Sequence, residues 1–456
     1  MNISELIAKL DPYVKEVCPA KLITISFPIS AVFSFCFSAL IWDEKGYRWF
    51  GSYADLKKVA TEFYKKRFEE LKKEFSLEEK EKEIIKHIRE IPKWKNLTDE
   101  ELIKEAEKTC KILKEWWDKL GVTEGIKYID IEVFVDPFIK EKNLGAEEIV
   151  LFKESLHLEE MGRDNKRDLQ LIEFIKRVNE GISEEEFTER LYLNPKYTGY
   201  DRYELYTRKE LESIDINKLK KDLEKRRKIN PDNALKKLKQ KVKITPEEEE
   251  KIKITRLASY LLDERRYFAN LLNMGLFILV EEFSRRMNSP QEEFWKLNRE
   301  EFIRKIKGEA VELTFPKMII GYDAKEVANG ENARKTFKEI EEKLENISKI
   351  EKTLQGFGAS KGTVEGIVRI ILNPHEEELQ NGEILVTYFT QPEYVPLMRK
   401  ARGIITECGG VTSHAAIISR ELGVPCIVGV KNAVIHLRNG QKIKMDGAKG
   451  IVEILE

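Results

Sequence analysis

The chain lacks a cysteine framework. Its five cysteines, Cys18, Cys36, Cys110, Cys408 and Cys426, are scattered, odd in number and form no CxxC pair. That usage excludes a disulfide scaffold and a cysteine zinc site, and it predicts a reducing, cytoplasmic setting with no metal held by the chain. An excess of one charge is also missing: 80 Lys and Arg stand against 81 Asp and Glu, a net charge of −1. A protein built to hold nucleic acid carries a basic surplus, so nucleic acid is not expected as a partner. The opening residues, Met1-Asn2-Ile3-Ser4-Glu5, put no basic stretch ahead of an apolar one, and no secretory leader is expected there. Internal repeats and low-complexity tracts are absent from the sequence.

One uncharged run reaches bilayer length, Leu22 to Ile41. It contains Pro28 and five Ser or Thr, and Phe33, Phe35 and Phe37 alternate with Ser34, Cys36 and Ser38. Alternation is strand periodicity. With a turn at Trp42 to Gly46 and a second aromatic strand at Tyr47 to Phe50, the run predicts a β-hairpin packed on helices and no membrane association.

What is present in quantity is charge on helical spacing. At 456 residues the chain is long enough for two to four domains. Charged residues make up 35% of it, dominated by Lys and Glu, a composition shared by long exposed helices and by proteins of hot environments. From Ser52 to about Leu120, apolar residues such as Leu56, Val59, Ala60, Phe63 and Phe68 recur mostly every three or four positions. Thr98 followed by Glu101 marks a helix start. The stretch 195–210 holds Tyr197, Tyr200, Tyr203 and Tyr206, which read either as structural aromatics of a loop or as a pocket lining. Residues 217–243 are Lys-rich and Glu247 to Glu250 follow, a pattern of solvated helices. A long helix is predicted over Thr255 to Met287. Within it, Asp263-Glu264-Arg265-Arg266-Tyr267 reads either as an exposed face with side-chain pairs or as a substrate or docking contact.

The character of the sequence changes at Gln355-Gly356-Phe357-Gly358-Ala359-Ser360-Lys361-Gly362. Three glycines in seven residues break any helix. The expected fold is therefore multidomain: a mostly α-helical N-terminal region with a β-hairpin near its start, then a C-terminal α/β domain. Residues 1–350 form the helical region, with a subdomain break expected near 125, and residues 355–456 form the second domain. Gln355 to Gly358 are the hinge candidates. Short strands are predicted at Thr363 to Leu372, Glu383 to Val386, Gly403 to Thr406, Pro425 to Val428, Gln441 to Met445 and Ile451 to Leu455.

Between those strands lies one good helix, opening in Gly409-Gly410-Val411-Thr412-Ser413-His414 and stopping at Gly423 with Pro425 beyond. Gly409 and Gly410 allow a tight turn and close backbone approach to a ligand. Thr412 or Ser413 caps the helix. His414 then sits in or beside the first turn, where free N–H groups and the positive end of the helix dipole favour a phosphate. Imidazole is a suitable nucleophile there: one nitrogen attacks while the other is held by a hydrogen bond. Which nitrogen reacts is not legible in the sequence.

The run from Gly409 to Gly429, GGVTSHAAIISRELGVPCIVG, resembles the mobile, swivelling phosphohistidine domain of the phosphoenolpyruvate-utilising enzymes, a family that includes phosphoenolpyruvate synthase, pyruvate phosphate dikinase and rifampicin phosphotransferase. Ala359-Ser360-Lys361-Gly362, Gly382 to Val386, Thr390-Gln391-Pro392 and Asp446-Gly447 fit the same pattern, so the resemblance spans roughly residues 355–456. It implies that His414 carries a phosphoryl group between two remote centres. It further implies that Thr412 hydrogen-bonds the imidazole or the phosphoryl group, that Ser413 belongs to the site, that Gly409 and Gly410 shape the phosphate loop, and that Arg420 is an electrostatic partner. Residues 262–268 and 292–297 resemble the helical, acceptor-binding region of rifampicin phosphotransferase, which makes Arg265 and Arg266 acceptor or docking candidates.

The sequence also departs from that family. It ends shortly after Gly450, without the barrel domain of phosphoenolpyruvate synthase, and residues 1–350 show no Gly-rich phosphate loop of an ATP-grasp domain. The expectation is a phosphotransferase component that binds no cofactor itself. Its partners would be an ATP-binding subunit of ATP-grasp type, carrying ATP and Mg²⁺, and a small-molecule acceptor. The alternative is a non-catalytic regulatory protein that uses the phosphohistidine domain as a docking module.

Overall fold

The computed structural model describes residues 13–18, 38–43, 46–123, 126, 131–156, 163–198, 202–227, 230–312, 315–321, 325–348, 353–371, 374, 378–390, 394–407, 409–410, 413–430 and 433–455. It divides into two compact units, one containing Ala54–Gly330 and the other Glu331–Glu456. The division falls at 330/331, ahead of the glycine-rich change of composition. The alternating segment Phe33 to Phe37, most of the uncharged run and the break near 125 lie outside the described residues.

Strands β1 (Ser38–Asp43) and β2 (Gly46–Ser52) are hydrogen-bonded neighbours, the hairpin near the start. Helices follow, among them α1 (Glu78–Glu90), α2 (Asp99–Leu120), α3 (Arg163–Glu180), α4 (Glu184–Leu193), α5 (Pro246–Met287) and α6 (Arg299–Ile306). The helical unit closes on β3 (Lys317–Gly321), which pairs antiparallel with both β1 and β4 (Lys325–Asn329). Among the described residues no helix is long and apolar enough to cross a membrane.

Helix α2 starts where its spacing predicts. Thr98 Oγ1 accepts the Glu101 N–H at 3.3 Å, and the Glu101 carboxylate accepts the Thr98 N–H at 2.8 Å. Helix α5 starts nine residues before the predicted Thr255. Thr245 and Glu248 form a second reciprocal cap, Pro246 occupies the first position, and the acidic run becomes a first turn favoured by the dipole. The core packs α5 against α2: Trp116 and Phe268 meet edge to face, centroids 5.3 Å apart. A Cβ on Gly275 would lie 3.4 Å from the Trp94 ring, so the chain is close-packed there.

Two readings are resolved by this packing. The exposed-face reading of 263–267 is corrected at its centre, because Glu264 and Arg265 are 0% and 1% exposed. The Arg265 guanidinium stacks 4.6 Å over Trp117, and its carbonyl accepts the Trp116 indole N–H at 3.1 Å. Neighbouring apolar residues at three and four spacing continue on both sides of the cluster, which is why it is drawn into the core. Tyr203 and Tyr206 are structural aromatics: Tyr197–Thr198 pairs with Tyr203–Glu204, and the Tyr203 hydroxyl donates to Glu281 at 3.0 Å. Tyr206 packs on the Phe174 cluster, and Tyr200 lies outside the described residues.

The second unit opens with α7 (Gly330–Ser348) and then forms β5 (Thr353–Gln355), β6 (Phe357–Ser360), β7 (Thr363–Ile370), β8 (Ile384–Thr387), β9 (Gly403–Thr406), β10 (Cys426–Val428), β11 (Lys442–Asp446) and β12 (Ile451–Ile454). Their order in the sheet is β5-β12-β11-β7-β8-β9-β10-β6. The central strands β7 to β10 run parallel and the flanking pairs are antiparallel. Helices α8 (Val395–Lys400) and α9 (His414–Leu422) connect parallel strands, and α10 (Ala433–His436) leads from β10 to the antiparallel β11.

Parallel strands covered on both faces read as continuous apolar runs. Leu385, Ile404 and Val428 pack in one cluster with Ala415 and Ala416 of α9, while Ile384, Ile405 and Ile427 pack in another with Met445 and Val452. Strands β5 and β6 occupy the two ends of the sheet order and are separated only by Gly356, so the sheet closes on itself. A Cβ on Gly356 would approach Val428 O to 2.7 Å, and its N–H donates to Gly450 O at 2.8 Å. The hinge expectation for Gln355 to Gly358 is therefore corrected: Gln355 pairs with Ile451, Phe357 with Val428 and Gly358 with Ile427. Strand β12 returns the chain beside β5, pairing Glu453 with Thr353.

Candidate functional site

The site forms where the parallel strands end. The loops after β8 and β9 both rise from the same edge of the sheet, the edge at which ligands of open α/β sheets bind. Glu407 N–H donates to Thr387 O at 3.0 Å and Val430 N–H to Thr406 O at 3.0 Å, which fixes the roots of three neighbouring loops.

Helix α9 begins with His414 itself. Ser413 is the N-cap, with extended backbone, and its Oγ accepts the Ala416 N–H at 3.4 Å. The Ser413 N–H is turned back to Gly410 O at 2.9 Å. Gly409 has φ +111°, and a Cβ there would stand 2.8 Å from the Ser413 Cβ, so only glycine admits this loop. The helix ends at Gly423, φ +68°, as its sequence predicts. Ala415 and Ala416 are buried against the sheet, which holds the first turn and its imidazole at the sheet edge.

The His414 ring is oriented by a residue that the sequence places in a flanking motif without a role. Thr390 Oγ1 lies 2.8 Å from His414 Nδ1. Thr390 is 7% exposed and sits three residues beyond β8. Its signal was present in Thr390-Gln391-Pro392, a polar triplet at the end of a parallel strand. The loop that presents it is braced from below: the Tyr394 hydroxyl donates to Ile371 O at 3.3 Å and receives the Thr387 hydroxyl at 3.2 Å.

Other predicted residues are placed as follows. Ser413, Gly409 and Gly410 come together with His414; Thr412 lies outside the described residues. Arg420 is six residues further along α9, about 9 Å along its axis, and its Nε donates to Ala359 O at 2.7 Å, tying the helix to β6. Arg265 is buried in the helical unit, whereas Arg266 is exposed. Cys426 lies under α9, and burial pushes its thiol up to about 12, so it offers no nucleophile. Asp446 accepts the Ala448 and Lys449 N–H groups, each at 3.0 Å, and these bonds hold its carboxyl below the usual range. Among the described residues no group of three His, Cys, Asp or Glu side chains gathers as a metal site.

This arrangement can do one kind of chemistry well. An imidazole with Nδ1 held by a hydroxyl stands at the positive end of a helix whose first N–H groups favour an anion. Comparison with known proteins agrees. The family described as PEP-utilising enzyme, mobile domain, matches residues 379–450. A probable phosphoenolpyruvate synthase of Staphylothermus marinus is 45% identical over 124 residues, 26% of this chain and 15% of the relative. The phosphoenolpyruvate synthase of Pyrococcus furiosus is 46% identical over 112 residues, 24% of this chain and 14% of the relative. Rifampicin phosphotransferase of Bacillus subtilis is 44% identical over 99 residues, 22% and 11% of the two chains. The chain thus matches about a seventh of the length of the phosphoenolpyruvate synthases. Geometry and likeness converge on the same stretch: residues 379–450 match the mobile domain of the phosphoenolpyruvate-utilising enzymes.

Proposed function

We propose that the chain is a phosphotransferase component in which His414 carries a phosphoryl group between a nucleotide or phosphoenolpyruvate site on a separate subunit and an acceptor. The observation that carries this reading is the 2.8 Å contact of His414 Nδ1 with Thr390 at the start of α9. With Nδ1 donating its proton to Thr390 Oγ1, the Nε2 lone pair is the nucleophile. It attacks phosphorus, the P–O bond to the donor breaks, and the electron pair leaves with the donor. In the second half-reaction an acceptor oxygen attacks, the P–N bond breaks, its electrons return to Nε2, and the acceptor's proton passes to water. Positioning and charge stabilisation supply the catalysis, with Mg²⁺ and ATP at the partner site. The acceptor is a small molecule, and the helical unit, with Arg266 on its surface, is the part of this chain available to hold it.

The test is phosphopeptide mapping in neutral, cold conditions, because phosphohistidine is acid-labile. Purified protein is incubated with ATP or phosphoenolpyruvate, each with and without extract of the source organism. Phosphate on His414 with ATP only when extract is added is the expected result. Phosphate with ATP alone would defeat the separate-subunit part, and none under any condition would favour the docking module. Thr390→Val should slow loading roughly tenfold or more, the loss of one hydrogen bond of about 1.5–3 kcal/mol to a group that becomes charged. Thr390→Ser should restore it.

A further inference from the structure

Beneath the phosphate loop lies a hydroxyl that the resting site does not use. Thr406 ends β9 and is 0% exposed, and its Oγ1 has no hydrogen-bond partner among the described residues. Its carbonyl accepts the Val430 N–H, and it is paired with Thr387 on the neighbouring strand. Side chains alternate along a strand. Ile404 packs with Ala415 and Ala416 of α9 while Ile405 packs on the other side, so Thr406 shares the α9 side with Ile404. It points toward the helix start that carries His414.

A buried hydroxyl without a partner costs stability, and valine would fill the same space without that cost. A polar group kept in such a place acquires its partner in another state of the molecule. The Ser413 hydroxyl lies across the Gly409 turn from it. The point where a Gly409 Cβ would stand is 2.9 Å from Ser413 Oγ and 4.0 Å from Thr406 Oγ1. The absent Cβ leaves the space in which the two hydroxyls can meet. In the resting state Ser413 Oγ accepts a long bond, 3.4 Å, from the Ala416 N–H, so its capping role holds it weakly.

We infer that Thr406 is a positioning residue for the loaded state: once His414 carries phosphate, the Ser413 hydroxyl donates to a phosphoryl oxygen and the Thr406 hydroxyl donates to Ser413 Oγ. This rests on the proposed role of His414. Ser413 has one proton, and directing it at an anion leaves its oxygen a better acceptor, so each bond strengthens the other. Thr406 touches neither the phosphoryl group nor the imidazole and acts through Ser413.

The experiment loads the full-length chain with potassium phosphoramidate, which phosphorylates histidine without a kinase, its P–N bond breaking and ammonia leaving. Thr406→Val, Thr406→Ser, Ser413→Ala and the Thr406→Val/Ser413→Ala double variant are compared with wild type by ³¹P NMR and thermal melting. Unloaded Thr406→Val should melt at or above wild type. Loading should raise the wild-type melting temperature, and Thr406→Val and Ser413→Ala should both lose that increment and share a displaced phosphohistidine resonance. The double variant should add nothing further, and Thr406→Ser should restore both readouts. A Thr406→Val chain that keeps the wild-type resonance and increment overturns the inference, as does a wild-type His414 that takes no phosphate from phosphoramidate. Failure of ATP and extract to load wild-type His414 would instead defeat the carrier reading, which the phosphoramidate arm does not address.

Discussion

Two histidines of this chain each hold a threonine hydroxyl at 2.8 Å: His414 with Thr390 at a helix start, His87 with Thr109 inside the helical core. Surroundings make them different groups. His87 is 1% exposed, and burial, with a smaller contribution from Lys108, pushes its pKa down to about 4, although a Glu105 oxygen lies 3.5 Å from Nδ1. A base whose folded pKa lies below its unfolded value binds fewer protons when folded, so stability rises with pH between the two. The helical unit should therefore lose stability as pH falls from about 6.5 to 4, by up to roughly 3 kcal/mol from this residue. Urea midpoints of wild type and His87→Gln across that window check it; equal pH slopes would show that His87 is not responsible. His414 instead stands at a helix start on the edge of the sheet, and its hydroxyl partner orients the ring.

At the scale of elements, what the sequence announces is what local chemistry decides. The cap at Thr98, the stop at Gly423 and six of the C-terminal strands follow from residue types within a few positions, and the structure places them within two residues or so. His414 and its glycine loop were legible for the same reason. Thr390 was not, because its closeness to His414 comes from two loops rising at one sheet edge, 24 residues apart in sequence. Strands β5 and β6 were missed because their ladders depend on β12 and β10, and locally they read only as a glycine-rich break. Arg265 is a related case: a charged residue between apolar turns reads as an exposed face or a docking contact, and tertiary packing enclosed it over Trp117. Truncating a large buried side chain leaves a cavity. Arg265→Ala should cost about 2–5 kcal/mol by denaturant unfolding, and Arg265→Met, which refills the space, clearly less. Equal costs would assign the whole effect to charge.

At the scale of the molecule, each unit has cores of its own. Phe268, Leu272 and Leu276 anchor the helical one; Leu385, Ile404 and Val428 anchor the other. Truncating a side chain in one core should leave the other's packing intact. Phe268→Ala, at about 3–5 kcal/mol, and Ile404→Ala, at about 2–5 kcal/mol, should lower different parts of a calorimetric trace. A single transition displaced alike by both would show one cooperative unit.

The pairing of Thr353 with Glu453 carries a consequence of another kind. The strand that begins the closed sheet and the strand that ends it lie side by side, so the polypeptide arrives at and departs from neighbouring points. A module built this way can be spliced into a host chain at one surface loop without pulling the host's ends apart. It behaves as a cassette. Such transferability suits a stretch that makes up about a quarter of this chain in its matches and about a seventh of the much longer synthases.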